Sequence, residues 1–178
     1  FLAALDVKTG EEVWRTAREE VPTWSTPSIY QSGDTTRIAV NGWKHIGGYD
    51  LASGAEVWKL EGGGDIPVPT PIVADDLIFI HNAHGRMAPI YAVRTSAEGD
   101  ISLDGDETSN EGIQWSHDRG GAYMATGIVY EDCFYNLQNN GRLTCYDAAT
   151  GEELYSERLG ETGTGFSASP VAANGRLY

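Results

Sequence analysis

The eleven residues from Ala4 to Trp14, ALDVKTGEEVW, return from Gly48 to Trp58 as GYDLASGAEVW and from Cys145 to Tyr155 as CYDAATGEELY. An internal repeat constrains a chain more than any local propensity, because it calls for one small unit that is copied and stacked. Asp6 and Asp50 stand 44 residues apart, and so do Trp14 and Trp58. A second marker keeps the same phase: Thr26-Pro27, Thr70-Pro71, Thr126-Gly127 and Ser169-Pro170 each open an apolar run, at steps of 44, 56 and 43. The long step belongs to a decayed copy, Ala92-Val93-Arg94 to Trp115, in which an acidic insert from Thr95 to Gly112 replaces the short Thr-Gly turn. A period in the low forties predicts blades of four strands each.

Strands can be read within one period. Pro71 to Ala74, Leu77 to His81, Ile90 to Arg94 and Ile113 to Ser116 are runs of Val, Ile, Tyr and Phe separated by Asp, Gly and Asn, the pattern of strands between turns. No stretch keeps a 3.6-residue apolar period, so the chain is expected to be all β. Each repeated letter has a structural job. Asp6, Asp50 and Asp147 end a strand, where a short carboxylate accepts from backbone N–H groups just ahead. Gly10, Gly54 and Gly151 supply the positive φ of a tight turn. Trp14, Trp58, Trp115 and Tyr155 fall in outer strands, where a ring covering about 150–250 Å² can wedge against the neighbouring blade.

With those residues in view, Ala-x-Asp-x-x-Thr-Gly-x-x-x-Trp resembles the tryptophan-docking motif of the pyrroloquinoline quinone (PQQ)-type β-propeller repeat. That family holds both quinoprotein dehydrogenases and BamB-type outer-membrane assembly lipoproteins, so the resemblance implies a fold and leaves function open. It runs through residues 1–178 as a half blade (1–20), three blades (21–62, 63–119, 120–160) and a further half blade (161–178). The family usually closes with eight blades, which makes this about half a propeller; a four-bladed ring sealed by the two half blades is the competing arrangement. Open blade edges would offer self-association. The resemblance also implies a periplasmic or secreted setting, although no secretory or membrane-spanning run stands in this segment.

Charge narrows the partners. The formal net charge is −14, with 12 Lys and Arg against 26 Asp and Glu and no basic cluster, which disfavours nucleic acid and anionic lipid. The leading expectation is a non-catalytic scaffold for a protein or peptide partner, with no cofactor. The alternative is a fragment of a PQQ-dependent dehydrogenase needing PQQ and calcium. Those enzymes carry an adjacent Cys-Cys pair, whereas Cys133 and Cys145 flank the Asn139-Asn140-Gly141 hairpin and are expected to be buried small residues rather than a disulfide. A carbohydrate-binding surface on Trp24, Trp43 and Tyr123 is a further option.

Propeller topology sends the second-to-third-strand loops and the blade-to-blade connections to one face. That loop face is expected to gather Trp43, Lys44, His45, His81, Asn82, His84, Arg86, His117, Asp118, Arg119, Asn139 and Asn140 as binding candidates. His81-x-x-His84 has two possible metal ligands but lacks acidic or thiol partners at ligand spacing. Ser116-His117-Asp118 spells a hydrolase triad in consecutive residues, which cannot align nucleophile, base and orienter. In the insert, Asp100, Ser102, Asp104, Asp106 and Glu111 fit the letters of a calcium loop. The plainer expectation there is an acidic, solvated rim.

Overall fold

Branched and aromatic residues fill the runs between the turns, and in the computed structural model, which describes residues 1–160 and 165–178, those runs are strands. β1 (Leu2–Leu5) and β2 (Glu12–Thr16) form a two-stranded sheet, and β3 (Ser28–Ser32), β4 (Thr35–Val40), β5 (His45–Asp50) and β6 (Glu56–Glu61) a four-stranded meander. β7 (Ile72–Ala74), β8 (Leu77–His81), β9 (Ile90–Arg94) and, beyond a short β10 (Gly99–Asp100), β11 (Ile113–His117) form the next. β12 (Ile128–Tyr130), β13 (Cys133–Leu137), β14 (Arg142–Asp147) and β15 (Glu153–Arg158) make a third meander, followed by β16 (Ala172–Ala173) paired with β17 (Arg176–Leu177). The chain is thus all β, and its sheets stack as propeller blades, numbered here from 1 to 5. The blade edge expected at residue 161 lies outside the described residues.

Middle strands of the three four-stranded blades are buried on both faces, and their period of two decides which neighbour each side chain meets. In β8, Ile78 and Ile80 pack with Ala39, Ile46, Trp58 and Leu60 of blade 2. Phe79, pointing the other way, packs with Phe134 and Tyr146 of blade 4. In β4, Ile38 and Val40 meet Leu2 and Trp14 of blade 1. A one-residue slip would exchange these neighbours, so packing fixes the register.

Every outer pair carries the same irregularity. The ladder shifts after Ala4↔Trp14, Gly48↔Trp58 and Cys145↔Tyr155, and at Trp115↔Ala92. Such a bulge adds twist, and a small residue stands opposite each ring.

The insert departs from its expected role as a solvated rim. After Thr95 the chain crosses to the preceding blade, and β10 pairs parallel with β6 (Gly99↔Trp58, Asp100↔Lys59). Ala97 and Ile101 are buried in the core shared by blades 2 and 3, with Leu103 packed against it. Arg37 Nη1 donates to the Ala97 carbonyl at 3.1 Å and Nη2 to Glu98 at 2.9 Å. The segment is acidic on its outer surface and apolar where it crosses the junction. It works as a clasp.

Candidate functional site

The repeated turns are closed units. Asp6 Oδ1 accepts from the Lys8 and Thr9 N–H groups, each at 2.9 Å, and Asp147 repeats the pattern with Ala149 and Thr150 at 3.1 and 2.8 Å. Asp50 accepts from the Ser53 N–H and hydroxyl at 2.8 and 2.6 Å. These bonds hold all three carboxyls below the usual carboxylate range, led by the Thr9 backbone at Asp6, the Ser53 side chain at Asp50 and the Thr150 side chain at Asp147. On the second and third of these turns lies the indole of the preceding blade. Trp14 Nε1 donates to the Leu51 carbonyl at 3.0 Å and Trp115 Nε1 to that of Ala148 at 2.9 Å. A Cβ on Gly54 would stand 2.4 Å from the Trp14 ring, and one on Gly151 2.6 Å from that of Trp115, so these glycines are needed for contact as well as for φ. Trp58 donates instead to Tyr30 Oη at 2.8 Å. Tyr155 is half-exposed, tilted against Tyr135.

On the loop face, the candidates divide. Arg18 and Glu20, both buried side chains, fasten the β4–β5 loop: Arg18 Nη2 donates to the His45 carbonyl at 3.0 Å, and Glu20 accepts from the Lys44 N–H at 3.1 Å. Neither residue was singled out by sequence, since an Arg-x-Glu in a connection carries no pattern. His45 Nε2 lies 3.2 Å from Glu56. The Asn41 and Asn82 amides pair reciprocally at 2.8 and 2.9 Å, tying two neighbouring loops. Asp65 Oδ2 sits 3.0 Å from His84 Nδ1, and the His84 ring lies against Tyr123, centroids 5.0 Å apart. Asn139 Oδ1 accepts from the Tyr123 N–H at 3.2 Å. Arg86 and Arg119 are exposed. Trp24, Trp43, Met87 and Met124, all on this face's connections, are 61%, 41%, 42% and 42% exposed.

Two histidines are placed elsewhere. His117 Nε2 is 2.8 Å from the Gly151 carbonyl, in the junction between blades 3 and 4, with its ring between Trp115 and Tyr146. His81 is fully buried. Its Nε2 accepts from the Gly127 N–H at 3.1 Å, and its Nδ1 meets the Ala122 N–H at 3.2 Å and the Ala122 carbonyl at 3.4 Å. Burial pushes its pKa from 6.5 down to about 4, so this ring is a neutral strut.

The groups spelled by the other motifs have separate partners. Ser116 Oγ donates to the Thr108 carbonyl at 3.0 Å, and Asp118 is exposed. In the insert, Asp100 accepts from Ser102 Oγ at 2.7 Å and pairs with Lys59 at 2.9 Å. Ser102 and then Lys59 pull its carboxyl down to about 2. Among the described residues no three His, Cys, Asp or Glu side chains gather as a metal site. Cys133 and Cys145 are free thiols, and burial pushes Cys145 up to about 12. A cleft of about 630 Å³ opens on the opposite, turn face, lined by Arg94, Asp75, Asp76 and Asp132 among others. Sequence reasoning passed over it, because Arg94 reads as decay of the repeat.

Comparison with known proteins agrees with this architecture. A family model described as outer membrane protein assembly factor BamB matches residues 2–126. Among solved structures, BamB from Moraxella catarrhalis is similar at 18% identity with a TM-score of 0.56, covering 86% of this chain and 45% of that one. The quinohemoprotein alcohol dehydrogenase from Comamonas testosteroni is similar at 15% identity and TM-score 0.62, covering 98% of this chain and 37% of the enzyme. The computationally designed Ika4 protein is similar at 12% identity and TM-score 0.57, covering 95% and 91% of the two chains. At these identities the likeness is one of fold. This chain spans less than half of the first two structures. No curated protein matches.

Proposed function

The chain belongs to the family of outer membrane protein assembly factor BamB, the PQQ-like propellers, and on that footing we propose that it is a non-catalytic scaffold which holds a protein or extended peptide on its loop face. One observation carries the proposal. Trp24, Trp43, Met87 and Met124 are exposed large apolar side chains of the loop face, and they stand on the same set of connections as the Asp65–His84–Tyr123 group, anchored by Arg18, Glu20, Asn41 and Asn82. Aromatic and Met side chains held out on a rigid frame are what a protein-binding surface presents. The family's name supports a periplasmic or secreted setting.

The quinone alternative has less support within this segment. The sequence holds no adjacent Cys-Cys pair, and among the described residues no carboxylate group gathers that could seat calcium.

The test is a displayed library of extended peptides selected on the chain, followed by affinity measurement. Trp43→Ala with Met124→Ser should weaken the selected peptides about tenfold or more, while Val13→Ser on the outer strand of blade 1 leaves them unchanged. Equal binding by all variants defeats the proposal, as would dye-linked alcohol oxidation after adding PQQ and calcium. Selection of glycans instead of peptides on an array would transfer the same face to carbohydrate.

A further inference from the structure

The position filled by Asp6, Asp50 and Asp147 is filled in blade 3 by Arg94. Its backbone is unchanged: Arg94 N donates to the Gly112 carbonyl at 2.8 Å, as Asp6, Asp50 and Asp147 donate to Glu11, Ala55 and Glu152 at 2.8 to 2.9 Å. The turn that would consume the side chain is gone, because after Thr95 the chain leaves for blade 2. Arg94 is half-buried. Among the described residues no carboxylate comes within ion-pair distance of it.

This guanidinium lines the cleft of about 630 Å³ on the turn face, a volume within the range of small-ligand sites. Leu77 and Val129 supply apolar lining, and Asp75, Asp76 and Asp132 come from the hairpin tips of blades 3 and 4. None of those three carboxylates has an ion-pair partner among the described residues. The charge balance selects the ligand. A plain anion is repelled by a chain of net charge −14, and a plain cation leaves the half-buried guanidinium unpaired. A ligand carrying both signs satisfies both.

We infer that this cleft binds the C-terminus of a short basic peptide. The terminal carboxylate takes the planar fork of Arg94, an ammonium group lies among the three carboxylates, and an apolar side chain covers Leu77 and Val129. The site is on the face opposite the exposed Trp and Met residues and does not depend on their role.

Calorimetric titration of the whole chain with the dipeptide leucyl-lysine, and with its C-terminal amide, tests the inference. The free acid should bind with a dissociation constant below about 1 mM, and the amide about tenfold more weakly. Arg94→Gln should erase the difference between them, and Asp75→Asn with Asp132→Asn should weaken both. Equal binding of acid and amide to the unaltered chain overturns the inference, and so does no binding of the acid up to about 10 mM. The amide comparison leaves the protein untouched, so it decides the matter even where a variant does not fold.

Discussion

Three blade junctions in this chain solve one problem in two ways. Between blades 1 and 2, and between blades 3 and 4, an indole lies on the next blade's turn, Ser53-Gly54 or Thr150-Gly151, and donates to a carbonyl of that turn. Between blades 2 and 3 that turn is missing. Trp58 bonds to Tyr30 of its own blade, and Ala97, Ile101 and β10 of the insert cover the junction instead. The middle junction is the better sealed: Trp58 is 1% exposed, against 6% for Trp115 and a half-buried Trp14. The contrast teaches that the turn is a replaceable part. What a junction requires is a cover for the indole, and a crossing strand serves as well as a glycine.

The largest expected effect sits at the middle junction. Trp58→Ala should cost about 3–5 kcal/mol in denaturant melts, and Trp14→Ala clearly less; equal losses would deny the middle junction its better seal. Next comes acid. His81 in the blade 3–4 junction is neutral when folded, so the unfolded chain takes up the proton first as pH falls. Its contribution is complete above about pH 6.5, drains toward pH 4, and amounts to about 3 kcal/mol. His81→Gln should flatten the stability profile across that window, and an unchanged profile counts against the strut. Asp6, Asp50 and Asp147, whose pKa values are lowered, lose their contribution only below the ordinary carboxylate range.

Smaller effects separate the two kinds of junction more finely. Gly151→Ala meets both a φ of +76 and the Trp115 ring, and should cost about 2–3 kcal/mol. Gly99→Ala meets a φ of +75 and open space, and should cost about 1 kcal/mol. Identical melts for the two would mean that the ring does not rest on the turn. Last, Arg37→Met strips the Ala97 carbonyl of its donor and should cost about 1–3 kcal/mol. The half-exposed Lys59–Asp100 pair, removed by Asp100→Asn, should cost under about 1 kcal/mol.

Much of this was legible in the sequence because the repeat writes local chemistry directly. Asp, Thr and Gly at fixed offsets spell a turn whose bonds lie within five residues, and the strand runs follow from the gaps between such turns. The route of the insert was not legible, since β10 has two residues and pairs with a strand some forty positions earlier. Its one signal was the spacing of Ala97, Ile101 and Leu103 inside an acidic stretch. His117 shows a related limit: topology assigns it to the loop face, but whether a ring turns outward or into a junction depends on the neighbouring blade. The cleft beside Arg94 was hidden for a different reason. A departure from a repeat looks like erosion until the space around it is known.

The parallel pairing of β10 with β6 also bears on how the molecule comes apart. In a stack of blades, each unit can in principle open against its neighbours at the cost of one interface. Here two residues from the chain of blade 3 extend the outer edge of the hydrogen-bond ladder of blade 2, so the two blades cannot part without breaking that pairing as well. Blades 2 and 3 should therefore open as one unit, with the amides of β6 and β11 exchanging with solvent together and later than those of β2 or β15.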